Sequence, residues 1–183
     1  MISPELPSYT IRNATAADAA RLAEFGAAQF TDAFGADNAP ENLAAYLAET
    51  YSPEKQAAQL ADADAPYLIA EEAGALVGYA WLKFDPVPEG VPGQRPMELV
   101  RFYVDMAWHG RGLAGALMAR CLDVARAAGA DALWLSTWDR NARGIAFYQK
   151  QGFRIAGRLT FVVGDDPQTD WLMVREISGE TAS

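Results

Sequence analysis

An α/β (α+β) fold, with one mixed central sheet of about seven strands flanked by helices, is predicted by three features of this chain. Strand-like and helix-like stretches follow one another in the order β-ααα-ββ-β-α-β-α-ββ. A mostly apolar strand, "MELVRFYVD", has the composition of a central strand and runs into a glycine loop and a long helix. The last stretch, "FRIAGRLTFVVGDDPQTDWLMVREI", reads as a long antiparallel hairpin. The 183 residues suffice for a sizeable core, and residues 1–183 read as a single domain without repeats or low-complexity segments.

Taken in order, "SYTIRNAT" alternates like a strand, and Thr15 with Asp18 resembles a capping box that uses Asp in place of Glu. "AADAARLAEFGAAQFTDAFG" follows as a helix with Leu22, Phe25, Gln29 and Phe30 near one stripe. "APENLAAYLAETY" is a second helical piece, and "SPEKQAAQLADAD" opens a third with Ser52 as N-cap and Pro53 at the first helical position. "PYLIAEEAGALVGYAWLKFD" forms two strands around a tight turn at Ala73-Gly74, and "PVPEGVPGQRP" must be a loop. In the long helix Leu113, Leu117, Cys121 and Val124 share a face. "DALWLSTWD" is the next strand, and Gly152 closes the short helix "NARGIAFYQKQG".

Composition narrows the function. Hydrophobic residues at 51% and charged residues at 21% describe an ordinary soluble globular protein. The formal charge of −9 disfavours nucleic acid and anionic membranes as partners and favours small cations, although acidity also serves solubility. No run approaches the roughly 20 apolar residues that span a bilayer. The N-terminal residues lack the pattern of a secretory leader, so a cytoplasmic location is expected. One cysteine, Cys121, and one histidine, His109, leave no Cys- or His-based metal site; Cys121 reads as core filler.

Gly110, Gly112 and Gly115 form G-x-G-x-x-G ahead of the long helix. Such a loop is an anion site: backbone N–H groups point outward, and the helix dipole favours negative charge. A dinucleotide and coenzyme A both carry a diphosphate, so context must choose. Asp139 after the next strand would satisfy a dinucleotide fold, but two other requirements fail. Asp105 to His109 separate strand from glycines, and only one short helix and a hairpin follow the second strand.

At this point "ELVRFYVDMAWHGRGLAGALM" resembles the cofactor motif of the GNAT N-acetyltransferases, a central strand entering a Gln/Arg-x-x-Gly-x-Gly/Ala loop and a long helix. The motif falls on His109, Gly110, Arg111, Gly112, Leu113 and Ala114, with His109 in place of the usual Gln or Arg. "LWLSTWDRNARGIAFYQKQGF" resembles the second half of that site through Asn141, Phe147, Tyr148, Gly152 and Phe153, with Ala146 later than the commonest spacing. Within that family "FTDAF", "VRFYV" and above all "FVVGDDPQTDWLM" look like the PaiA-type spermidine/spermine N-acetyltransferases.

The resemblance implies the GNAT fold, acetyl-CoA as co-substrate and a primary amine as acceptor. The narrower likeness implies a small polyamine, with a peptide amine as the enzymatic alternative and a non-catalytic acyl-CoA sensor as another. Phe102, Tyr103 and Val104 would pair with the pantetheine arm as an added strand, and the Val104 N–H would polarise the thioester carbonyl. Amides from Gly110 to Gly115, including Leu113 and Ala114, would hold the diphosphate, with Arg111 adding charge. Tyr148 would protonate the departing thiolate. Glu98 would draw a proton from the acceptor through water, or would only pair with Arg101 or solvent. Asn141 would cap its helix, touch the cofactor arm, or both. Trp138 would wall the acceptor site or serve the core, and Asp32 would attract a cationic acceptor. Asp139, Asp165, Asp166 and Asp170 share that attraction with a plainer reading as surface or turn residues. His109 reads as structural or phosphate-side. No metal is implied, and a homodimer is a property of relatives that no residue here demands.

Overall fold

The computed structural model describes residues 9–177. The strands are β1 (Thr10–Asn13), β2 (Tyr67–Glu72), β3 (Ala75–Lys83), β4 (Pro96–Val104), β5 (Ala132–Trp138), β6 (Arg154–Val163) and β7 (Asp166–Glu176). The helices are α1 (Ala19–Phe34), α2 (Pro40–Thr50), α3 (Pro53–Leu60), α4 (Leu113–Ala127) and α5 (Ala142–Lys150). The strands make one seven-stranded sheet in the order β1-β2-β3-β4-β5-β7-β6, and only β4 and β5 run parallel. Ser8, which the sequence places in the first strand, lies outside the described residues.

Local signals act where they stand. Ser52 accepts from the Lys55 amide at 3.1 Å and starts α3. The Thr15 amide donates to Asp18 at 2.8 Å, but that carboxylate serves more than a cap. Arg12 and Arg21 converge on both Asp18 and Glu71, and Arg12 holds Asp18 down to about 2. The β2–β3 turn has positive φ at both Ala73 and Gly74, the geometry of a tight primed hairpin turn.

One face of the sheet is covered by α4, whose Leu113, Leu117, Met118, Cys121, Leu122 and Ala125 are buried in the main core. Each fully buried Leu or Met there contributes about 1.5–3 kcal/mol. The opposite face, beneath α1, is aromatic and partly polar, with Trp81, Tyr67, Tyr79 and Tyr103 stacked in that order. No helix among the described residues is long and apolar enough to cross a membrane.

The strand β4 is irregular in two linked ways. Leu99 pairs with Leu82 and Arg101 with Trp81, so Val100 is an extra residue opposite β3, a β-bulge. Met97 and Leu99 before the bulge, and Phe102 and Val104 after it, all join the core on the α4 side. Pairing with β5 ends at Glu98↔Trp134, just before the bulge. From there the parallel strands part, and the outer half of β4 has no strand partner on that side among the described residues.

Candidate active site

The gap between β4 and β5 meets the start of α4. In the antiparallel register Asp105 donates to Val77, so Tyr103 also exchanges its backbone bonds with β3, at Tyr79. The intervening residues Phe102 and Val104 turn their backbone groups to the unpaired side. This corrects the sequence expectation for Tyr103: its amide and carbonyl are occupied within the sheet. Its ring stacks on Tyr79 with centroids 5.6 Å apart.

Beyond β4 the chain makes a short turn to His109, whose Nε2 lies 2.8 Å from the Val104 carbonyl. The ring therefore donates there and ties the loop back to the strand, leaving the Val104 N–H free. Gly110 and Gly112 have φ of 76° and 85°, a region that disfavours side chains, and open space lies where a Cβ would stand. Gly112 caps α4 without a side-chain hydrogen bond. The amides of Gly110, Gly112, Leu113, Ala114 and Gly115 have no partner among the described residues. They gather at the positive end of the helix dipole. Leu113 contributes only its amide, because its side chain is wholly buried. Arg111 is exposed beside the loop, its guanidinium over the Trp108 ring at 5.3 Å.

The helix α5 starts with its own cap. Asn141 Oδ1 accepts from the Gly144 amide at 2.9 Å, and Nδ2 lies 3.4 Å from Thr137 Oγ1. Of the roles expected for Asn141, the cap is the one the geometry displays. Phe147 stacks on Phe102 at 5.5 Å, and Tyr148 meets the same ring edge-on at 6.2 Å. Tyr148 thus stands beside the free segment of β4. Its hydroxyl has no partner among the described residues and, unlike those of Tyr51 and Tyr79, is not sealed from solvent. Burial, then the nearby Cys121, push its pKa above the ordinary phenol value. The Cys121 thiol is also raised by burial, so this environment disfavours a thiolate as it does a phenolate.

Glu98 occupies the last paired rung before the strands part. Burial, reinforced by Asp85, lifts its carboxyl to about 7, while Lys83 opposes the shift. The expected alternative, a pair with Arg101, is not formed. The bulge leaves both side chains on the α1 side of the sheet, but Arg101 bonds to Gln56, Gln59 and Tyr67 instead. Trp138 ends β5, edge-on to Phe34 at 6.0 Å, with Arg140 over its ring at 5.6 Å. Asp32 is exposed, off the buried stripe of α1, and is not brought to the cleft. Asp165 and Asp166 are exposed at the hairpin tip. Asp170, by contrast, is buried on β7, and burial raises its carboxyl to about 6.

Three features escaped the sequence reading. Arg101 interrupts an apolar strand, a visible signal whose meaning lay in partners far along the chain. Lys83 and Asp85 reach Glu98 only because β3 pairs with β4. A cavity of about 380 Å³ opens between α2, α3 and the β6–β7 turn, with Arg101 in its lining.

The sheet gap, the open helix start and Tyr148 thus lie together at one end of β4. Residues 31–153 match the Acetyltransferase (GNAT) family, and the chain belongs to that family. An uncharacterised N-acetyltransferase of Mycobacterium tuberculosis (strain ATCC 25618 / H37Rv) is 36% identical over 161 residues, covering 87% of this chain and 98% of that protein. Two solved structures share the fold. PaiA N-acetyltransferase from Thermoplasma acidophilum, in complex with coenzyme A, has a TM-score of 0.74 at 20% identity, covering 92% of this chain and 99% of that one. N-acetyltransferase from Staphylococcus aureus Mu50 has a TM-score of 0.67 at 26% identity, covering 93% and 99%.

Proposed function

We propose that the protein transfers acetyl from acetyl-CoA to a primary amine by direct attack in a ternary complex, as a single cytoplasmic domain. The observation that carries this reading is the continuity of two unfilled backbone surfaces. The free edge of β4 at Phe102 and Val104 leads directly to the unpartnered amides of Gly110 and of Gly112 to Gly115. An extended amide-bearing arm suits the first, and a diphosphate suits the second. Acetyl-CoA has both and supplies an activated acetyl thioester.

The remaining chemistry belongs to the chain. An alkylammonium with pKa near 10.4 must lose a proton before its nitrogen can attack. Glu98, with a pKa of about 7, is ionised just above neutrality and can take that proton through water. The Val104 N–H is free to polarise a carbonyl. Tyr148 stays protonated at neutral pH and is positioned to donate to a departing thiolate. Positioning of the reactants supplies roughly 7–11 kcal/mol.

The acceptor is a small amine held on the α1 side of the sheet. The polyamine implied by the hairpin resemblance remains a second reading, favoured by the buried Asp170 next to Asp139. The cationic lining of the nearby cavity speaks for a different acceptor. The test is acetyl-CoA binding by calorimetry, followed by thiol release with spermidine, spermine, simple amines, amino acids and peptides. Saturable binding with acceptor-dependent release supports the enzyme. Binding with silence across every amine supports a sensor instead, and absence of binding removes the reading of the glycine loop.

A further inference from the structure

Among the described residues Arg101 is a cation without a counter-charge. It stands in the lining of the cavity of about 380 Å³, with Tyr46, Glu49, Lys55, Gln59 and Gly164 around it. Its guanidinium is clamped between the Tyr51 and Trp81 rings, 4.9 Å from each centroid. Every recorded hydrogen bond uses Nη1, at 3.0 Å from the Tyr67 hydroxyl, 3.2 Å from Gln59 Oε1 and 3.4 Å from Gln56 Oε1. All those acceptors are neutral. No carboxylate lies within 4.0 Å among the described residues, although the sequence holds 24 acidic side chains. The N–H groups of Nε and Nη2 have no described partner.

Burying a guanidinium is costly unless an anion compensates it. Here the neighbouring aromatic and amide groups orient the cation without neutralising it. Lys55 adds a second positive charge to the cavity, and Glu49 is the sole acid among the described residues that line it. Arg101 lies on the same side of β4 as Glu98 and Tyr103, three residues from the one and two from the other. At about 3.3 Å per residue this is roughly 10 Å or less along the strand, within the span of a small acceptor and a long side chain.

We infer that the acceptor carries a carboxylate as well as its amine, and that Arg101 binds this carboxylate in the cavity beside the acetyl-transfer site. An amino acid is the simplest compound of this class. The planar guanidinium, already immobilised between rings, matches a carboxylate's two oxygens with parallel hydrogen bonds. A polyamine would place further positive charge against Arg101 and Lys55. The inference rests on the acetyltransferase reading above for the location of the acceptor.

The experiment compares each standard amino acid that carries a primary α-amine with its primary carboxamide as acceptor, with spermidine alongside, by thiol release from acetyl-CoA. The amide replaces the carboxylate by a neutral group and also makes the amine less basic, so kcat/KM is compared per neutral amine. At least one amino acid is expected to exceed its amide about tenfold or more in kcat/KM, because a site built for a polar group rejects the analogue lacking it. Arg101→Met should bring that ratio close to one, chiefly through KM. Arg101→Lys, which keeps the charge but loses the planar fork, should give an intermediate ratio. Turnover of amides or spermidine at or above the amino acids overturns the carboxylate proposal and leaves the acetyltransferase reading standing. If every acceptor is silent, calorimetry with the same amino acids decides. Binding that Arg101→Met weakens at least tenfold upholds the carboxylate site; absence of such binding sinks it.

Discussion

The helices α4 and α5 stand beside the same gap in the sheet and begin in opposite ways. Asn141 gives α5 a side-chain cap, whereas Gly112 leaves α4 uncapped with a left-handed backbone. The difference is one of purpose. A helix start closed by its own side chain is a structural support, and α5 uses that support to hold Tyr148 against Phe102. A helix start left open keeps its amides available, and in the proposed enzyme α4 would offer them to the diphosphate. One terminus contributes stability to the fold, while the other leaves its hydrogen-bonding capacity unused among the described residues.

Variants can separate these duties from the proton transfers between them. The largest expected effect belongs to neither cap. Glu98→Gln should lower kcat/KM by roughly 100-fold or more at neutral pH, the usual scale for a general base. Wild-type activity should rise with pH through about 7, following Glu98, and the variant should lose that limb. Asp85→Asn should move the limb to lower pH, because it removes a charge that raises Glu98 and frees Lys83 to lower it further. Stability has its own sign: a carboxyl raised by folding favours the native state at low pH and loses that advantage as pH rises through about 7. Glu98→Gln should therefore raise the thermal midpoint more at pH 8 than at pH 5.

Tyr148→Phe probes what α5 supports. It should lower kcat by roughly 100-fold while acetyl-CoA affinity by calorimetry stays within about threefold. An equal loss of affinity would move Tyr148 from proton donor to cofactor contact. Gly112→Asp probes the open terminus, since aspartate tolerates left-handed backbone better than most residues but places negative charge among the free amides. Acetyl-CoA should bind roughly 100-fold more weakly, about 2.7 kcal/mol, with the far-ultraviolet circular dichroism spectrum retained. The smallest effect is Asn141→Ala. Loss of the cap should cost about 1 kcal/mol in chemical denaturation, with a modest fall in turnover as the helix frays. If it abolished cofactor binding as well, the two helix starts would not be functionally distinct.

Much of this arrangement was legible in the sequence because it is local. Ser52-Pro53, Ala73-Gly74 and Gly152 mark a cap, a turn and a helix end by steric rules that act over a few residues. The glycine loop marked a left-handed turn ahead of a helix for the same reason. Long-range pairing was less readable. Nothing in "MELVRFYVD" marks Val100 as extra, and strict alternation would put Glu98 and Phe102 on one face, where the structure separates them. Asp170 and Asp165 look alike in sequence, yet β7 buries the first and the hairpin tip exposes the second. Arg101 was visible as a charge in an apolar strand, but the rings and amides that clamp it come from the residue that ends α2, from α3, β2 and β3.

The bulge at Val100 has an evolutionary consequence. Met97 and Leu99 before it, and Phe102 and Val104 after it, already point to the same side of the sheet. Removing Val100 alone would leave each of them in phase and yield a regular strand able to continue alongside β5. Removing Phe102 instead would keep Tyr103 and Val104 in phase but turn Arg101 to the α4 side and remove the ring that meets Phe147 and Tyr148. A single codon thus separates a closed sheet from one with a slot, so the fold could have existed first and acquired its cleft by inserting one residue.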